Sequence, residues 1–297
     1  MASLKEVKNR ISSVKSTQKI TSAMKMVASS KLHRAQQAIE SMLPYENSLN
    51  DIMASFVAAS EGDISSPFSV VRDVKKIAIV VFSSNSSLCG AFNANVAKVL
   101  YNAVVEYHKE GIEVKVVVYG KKIADIAHKV KYDVLFDGSS QLEYPDYNQV
   151  AHEAEVLMNS FAVGDVDKVE LIYHHFKSTS SQMLTRDVLL PVSFCNDQSK
   201  VSADNDREKE SRAAPNYIFE PSLKDLSTQL IPNTLKLRLY TAMLDSLASE
   251  HAARVIAMQQ ATDNADELLK DLILTYNKTR QQAITTELLD IVGGSMH

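Results

Sequence analysis

A chain of 297 residues, 45% hydrophobic and 23% charged with a net charge of −4, can bury a sizeable core and reads as an ordinary folded protein of one or two domains. Two cysteines, Cys89 and Cys195, are too few for a disulfide framework and fit a reducing compartment. No apolar run approaches the roughly 18 residues that would span a bilayer, and the basic N-terminus lacks the apolar stretch of a signal peptide. The expectation is a cytosolic protein, or one held peripherally at a surface.

The first element is a helix with an uneven charge. Up to residue 34 it carries Lys5, Lys8, Arg10, Lys15, Lys19, Lys25, Lys31 and Arg34 against Glu6 alone. That balance suits nucleic acid, anionic lipid or an acidic protein partner. Glycine is absent from residues 1–61, and Pro44 is the one proline there. Glycine is absent again over 165–292, with no proline after Pro232. Both ends therefore predict long helices. The C-terminal stretch from Asn233 to Val292 would be on the order of 90 Å long at about 1.5 Å per residue, and should project beyond its own domain.

The two ends share a seven-residue period. One series runs Leu4, Ile11, Gln18, Lys25, Leu32, Ile39, and its companion runs Val7, Val14, Thr21, Ala28, Ala35, Met42. Near the other end, Leu244, His251, Met258, Ala265, Leu272 and Thr279 interleave with Ala248, Val255, Thr262, Leu269, Tyr276 and Ala283. Matching seams predict an intramolecular antiparallel coiled coil, with small and polar residues permitting close approach. Ile20, Met24 and Val27 form a second stripe that points away from the seam. That stripe implies a partner outside the chain.

Between the ends, "KKIAIVVFSS" (75–84) and "EVKVVVYG" (113–120) read as buried strands. Further strands are expected over 132–136, 168–175 and 182–190, with helices over 92–109, 121–129 and 147–161. Alternation of this kind predicts a Rossmann-like α/β domain with a mainly parallel sheet. The domain plan is a coiled-coil helix over 1–58, an α/β domain over 75–195, a flexible linker over 196–216 and a second coiled-coil helix over 217–297. The linker assignment rests on the polar composition of "NDQSKVSADNDREKESRAAP".

Candidate chemistry is thin. The turn "SSNSSLCGAFN" (83–93) opens a helix N-terminus suited to phosphate and holds Cys89 as a possible nucleophile, but it matches no phosphate-loop, dinucleotide or nucleophile-elbow pattern. His174 and His175, adjacent on a strand, point to opposite faces and do not make a metal site with Cys195. His251 falls on the seam and reads as a packed side chain. No catalytic, cofactor or metal constellation is predicted. In "YNKTRQQAITTELLDIVGG" (276–294), Lys278, Arg280, Gln281 and Gln282 line successive positions, and an arginine fork suits a partner's carboxylates.

"ISSVKSTQKITSAMKMVASSKL" near the start and "SEHAARVIAMQQATDNADELL…YNKTRQQAITTELLDIVGG" at the end resemble the gamma subunit of F-type ATP synthases. "SLCGAFN" and "YIFEPS" resemble further landmarks of that family, and the likeness spans essentially the whole chain. It implies a non-catalytic central rotor shaft without a cofactor, coupling proton flow through a membrane c ring to ATP synthesis or hydrolysis at beta-subunit sites. The implied partners are three alpha and three beta subunits, an epsilon subunit and the c ring. The implied place is the cytoplasmic face of the bacterial inner membrane, peripherally bound. By the same resemblance, Met24, Lys25, Met26, Arg254, Arg280, Gln281, Thr285 and Glu287 contact or couple to beta subunits. Tyr217, Phe219, Glu220 and Pro221 match the foot that contacts the c ring. The chain departs from the family at Asn85-Ser86-Ser87 and at its terminal "GGSMH". A basic coiled-coil protein binding nucleic acid or membrane is the alternative expectation.

Overall fold

The computed structural model describes residues 4–59, 66–192 and 223–294. Helix α1 is Leu4–Ala59, strand β1 is Lys76–Phe82, α2 is Phe92–Lys109, β2 is Glu113–Tyr119 and α3 is Lys121–Val130. Strand β3, Asp133–Asp137, is followed by α4, Tyr147–Val163, then β4, Lys168–Ser178, β5, Ser181–Leu190, and the closing helix α5, Leu223–Gly294. The described residues fall into two compact units. One holds Met1–Lys31, Leu88–Gly90 and His251–His297, and the other holds Leu32–Ser87 and Ala91–Glu250.

The larger unit is an α/β domain whose strands run in the order β3-β2-β1-β4-β5. The first four are parallel and β5 pairs antiparallel to β4. The alternate residues of "KIAIVVF" explain its central place, because a strand covered on both faces needs a continuous apolar run. Ile77, Ile79 and Val81 pack under α2 and α3 with Val96, Leu100, Val104 and Ile123. Ala78, Val80 and Phe82 pack on the other face with Leu157 and Phe161 of α4 and with Leu235, Leu239 and Met243 of α5.

Local signals end the helices where they should. Asp146 accepts a hydrogen bond from the Asn148 N–H at 3.2 Å to open α4, and Gly164 closes it at φ 88°. Pro44 and Pro232 lie inside α1 and α5 rather than ending them. Each removes one ladder donor, and both helices continue through the proline. Ser48 Oγ donates to the Pro44 carbonyl at 2.8 Å, and Thr234 Oγ1 to the Leu230 carbonyl at 2.9 Å.

The heptad seams serve two purposes. In α1, Ile39 and Met42 pack onto the sheet's core, and in α5 Leu244 belongs to that same core. Only the seam residues up to Lys31 and from His251 onward belong to the helical unit. The coiled-coil expectation that began at Leu244 is corrected to that extent: the same apolar period can seat a helix on a sheet or on another helix. The proposed linker over 196–216 lies outside the described residues.

Candidate partner-binding surface

Within the helical unit, the seam of α1 faces α5. Val7, Thr21 and Ala28 are buried, and Leu4, Ile11, Val14, Gln18 and Lys25 are half-buried. Where the seam turns polar, its side chains find one another. Gln18 Nε2 donates to Asp266 Oδ1 at 2.5 Å, and the Thr21 and Thr262 hydroxyls meet at 2.8 Å. Lys25 Nζ donates to Gln259 Oε1. As α1 numbers rise along this ladder the α5 numbers fall, so the helices are antiparallel. Sequence reasoning placed Gln18, Thr21 and Lys25 on the seam but missed their partners. The signal was available: in an antiparallel seam the polar positions of one helix must register with those of the other.

This pairing leaves the second stripe unpartnered. Ile20 is 56% exposed, Met24 41%, Val27 59% and Met26 68%. A cluster of such residues at one place on a helix exceeds the scatter of single apolar side chains that any surface carries. The Met24-Lys25-Met26 segment therefore divides. Lys25 turns toward α5 and the methionines stand outward.

The far end of α5 has no companion among the described residues. In the ladder's register, Leu4 stands level with Arg280. Every residue from Arg280 to Leu289 is exposed, Ala283 included. The placement of Ala283 on the seam is thus corrected, since its side chain is exposed. Arg280, Gln281 and Glu287 are exposed, and the Thr285 hydroxyl donates to the Gln281 carbonyl at 2.9 Å. Ile284, Leu288, Leu289, Ile291 and Val292 are exposed as well. Arg254 is half-buried near His251. The segment from Tyr217 to Pro221, with Phe219 and Glu220, lies outside the described residues.

In the α/β domain, the start of α3 is capped by side chains of the neighbouring turns. β1 lies between β2 and β4, so the carboxyl end of β1 is the switch point at which open α/β sheets usually receive ligands. Here the first-turn N–H groups of α3 are already engaged. Ser83 Oγ accepts from the Ile123 N–H at 3.2 Å, and Asn85 Oδ1 accepts from the Lys121 N–H at 3.1 Å. Ser139 Oγ accepts from the Gly120 N–H at 3.0 Å, and Asn85 Nδ2 donates to the Ser139 carbonyl at 3.0 Å. Gly120, at φ 113°, makes this possible: a Cβ there would stand 2.4 Å from Ser83 Oγ. Asn85, one of the residues at which the chain departs from the family pattern, thus caps the start of α3.

The other candidate groups are packed. The Cys89 thiol is 1% exposed in a turn where Leu88 and Gly90 both have positive φ, 69° and 61°. A Cβ on Gly90 would come within 3.9 Å of the Ala257 Cβ, so the turn rests against α5. His174 stacks on Phe92 with ring centroids 4.3 Å apart, and burial pushes its pKa down to about 4. His251 is likewise held down at about 4, by burial first and then by Arg254 and Lys31. His175 emerges on the opposite face to His174 and pairs with Asp245 at 2.6 Å. Among the described residues, no group of three or more His, Cys, Asp or Glu side chains is placed to hold a metal ion.

A family model described as ATP synthase matches residues 3–296. The ATP synthase gamma chain of Bacteroides fragilis is 53% identical over 298 residues, covering 100% of both chains. That of Phocaeicola vulgatus is 51% identical over 298 residues with the same coverage. The chain belongs to the ATP synthase gamma-chain family. A chain of the Euglena gracilis mitochondrial ATP synthase shares the fold with a TM-score of 0.64 at 18% identity, covering 99% of this chain and 93% of that one. As a gamma chain, the protein is a non-catalytic subunit of the ATP synthase central stalk, part of a membrane-associated complex. Catalysis resides in beta subunits. Full-length matching of this kind gives no support to a free nucleic-acid- or membrane-binding coiled coil. No helix among the described residues is long and apolar enough to cross a membrane.

Proposed function

We propose that this chain turns as a shaft inside a ring of three alpha and three beta subunits, driven by proton flow through a membrane c ring. Its changing face forces the beta subunits through successive nucleotide states. The observation that carries this reading is the stripe of Ile20, Met24 and Val27, with Met26 exposed on a separate face, left outward by a seam whose own polar groups are paired. An apolar surface on a helix whose partner is already engaged favours a second protein partner.

In this reading, Met24, Lys25 and Met26 meet the acidic lever of a beta subunit, with Lys25 contributing charge while held by Gln259. Arg280 and Gln281 grip a beta-subunit loop, and Arg254, Thr285 and Glu287 take part in coupling. Exposure of Arg280 and Gln281 beyond the end of α1 leaves their donors free for bidentate pairing. Tyr217, Phe219, Glu220 and Pro221 form the foot on the c ring, with an epsilon subunit beside the α/β domain. The complex sits peripherally at the cytoplasmic face of the bacterial inner membrane, in keeping with the bacterial gamma chains that match it in full.

The test is purification of tagged chain from membranes. The expected result is co-purification of alpha and beta subunits at three copies each per chain, stable to salt. Recovery of the chain alone, or with nucleic acid released steeply by salt, would overturn the reading.

A further inference from the structure

We propose that His175 and Asp245 form a proton-operated latch that pins α5 to the β4–β5 hairpin more firmly as the surrounding solution acidifies. The proposal is independent of the rotary reading, since every group in it lies within the α/β unit.

The geometry brings four elements to one place. His175 Nδ1 lies 2.6 Å from Asp245 Oδ2, joining β4 to α5. On β5, Asp187 accepts a hydrogen bond from the Tyr173 hydroxyl of β4 at 3.2 Å and adds its field to His175. From α1, Glu46 acts on the same imidazole, and Arg238 of α5 acts on Glu46. Asp245, Asp187 and Glu46 thus all act on the His175 imidazole, while Arg238 acts on Glu46. A protonated His175 supplies the second cation that this arrangement lacks, and it does so at the atom nearest Asp245.

The direction of titration agrees with the geometry. The hydrogen bond to Asp245 raises the His175 pKa, burial opposes it, and Asp245, Asp187 and Glu46 add to the rise. Glu46 is raised too, chiefly by burial and then by Asp245, with Arg238 and His175 opposing. A histidine whose folded pKa exceeds its unfolded value adds stability below the unfolded value, near 6.5. That contribution is lost as pH rises through the folded value. Glu46 shifts in the same sense at lower pH. His174 and His251, both held near 4, stay neutral throughout this window. The latch therefore engages where imidazoles respond to physiological acidity.

Hydrogen exchange of the chain in its assembled complex, followed by mass spectrometry and corrected for the chemical pH dependence of exchange, tests this. In the unmodified chain, protection of peptides spanning β5 and the Asp245 region of α5 should increase as pH falls from about 9 to about 6. The increase is up to about tenfold for each unit by which the folded pKa exceeds the unfolded one. His175→Gln should abolish that dependence at the level of the open latch. His175→Lys, charged throughout, should hold high protection across the range. A flat profile in the unmodified chain, a surviving slope in His175→Gln, or a lysine variant that matches glutamine would each overturn the proposal.

Discussion

Thr21 and Thr262 stand hydroxyl to hydroxyl at 2.8 Å across the helical pair, and each also reaches a carbonyl of its own helix. One proton serves the contact between them while the other is given to a backbone oxygen. Replacing Thr21 alone by valine removes the contact between the helices and leaves the Thr262 hydroxyl only the Met258 carbonyl of its own helix, which should cost about 1 kcal/mol. Replacing both by valine should recover most of that loss, since two matched apolar groups need no partner. Thermal melts of the complex with both singles and the double complete the cycle. Additive losses would contradict the pairing.

Arg280→Ala should impair assembly or cooperative turnover while leaving nucleotide binding at a single site largely intact. A charge-assisted hydrogen bond to a partner contributes roughly 1.5–3 kcal/mol, so the deficit should be large in multi-site hydrolysis. Turnover indistinguishable from the unmodified complex would remove Arg280 from the coupling surface.

Met24→Lys places a second cation beside Lys25 on the outward stripe. The expected outcome is a lower ratio of protons pumped to ATP hydrolysed, with hydrolysis itself less affected. Proton uptake and hydrolysis measured on the same membranes decide it. A strictly proportional fall in both would show that the stripe does not govern coupling.

In the α/β domain, Glu170 is 3% exposed and sits among cations. It accepts from Arg186 Nε at 2.7 Å, Lys168 Nζ at 2.7 Å and the Tyr107 hydroxyl at 2.6 Å. Burial pushes its carboxyl up, but the bonds from Arg186, Lys168 and Tyr107 outweigh this and hold it below its ordinary value. The stability it contributes is present above the unfolded carboxylate pKa and is lost as pH falls through the folded one. Glu170→Gln should destabilise the domain by roughly 3–5 kcal/mol at neutral pH, as for other broken buried ion pairs, and should flatten the acid limb of its melting curve. A melting temperature unchanged at neutral pH would sink this account.

Gly120→Ala should destabilise by about 1–3 kcal/mol for the backbone conformation alone, and more for the contact with Ser83. Its ATP hydrolysis per assembled complex should stay near that of the unmodified protein. A variant that assembles fully yet loses hydrolysis would give this turn a role in turnover.

Much of this architecture is legible in the residues because its causes are local. "KIAIVVF" and "EVKVVVY" fix two central strands by composition, and the breaker-free ends fix two helices. The outward stripe was legible for the same reason: Ile20, Met24 and Val27 lie on a face that the seam cannot use. What escaped depends on distance. Nothing near Gln18 names Asp266, and nothing near Asn85 shows that its amide will occupy the start of α3. Nor does the heptad period say where α1 stops pairing with α5 and settles on the sheet, because an apolar stripe suits either neighbour.

The exposed end of α5 bears on how the helical unit would respond to a twisting load, if it turns as proposed. Along the ladder from Lys25 to Gln18, a twisting load is shared by two backbones cross-tied by side chains. Beyond Arg280 one backbone carries it alone, and a single rod is torsionally softer than two tied together. Angular strain applied to the tip should therefore collect there first, turn by turn, before the paired region winds.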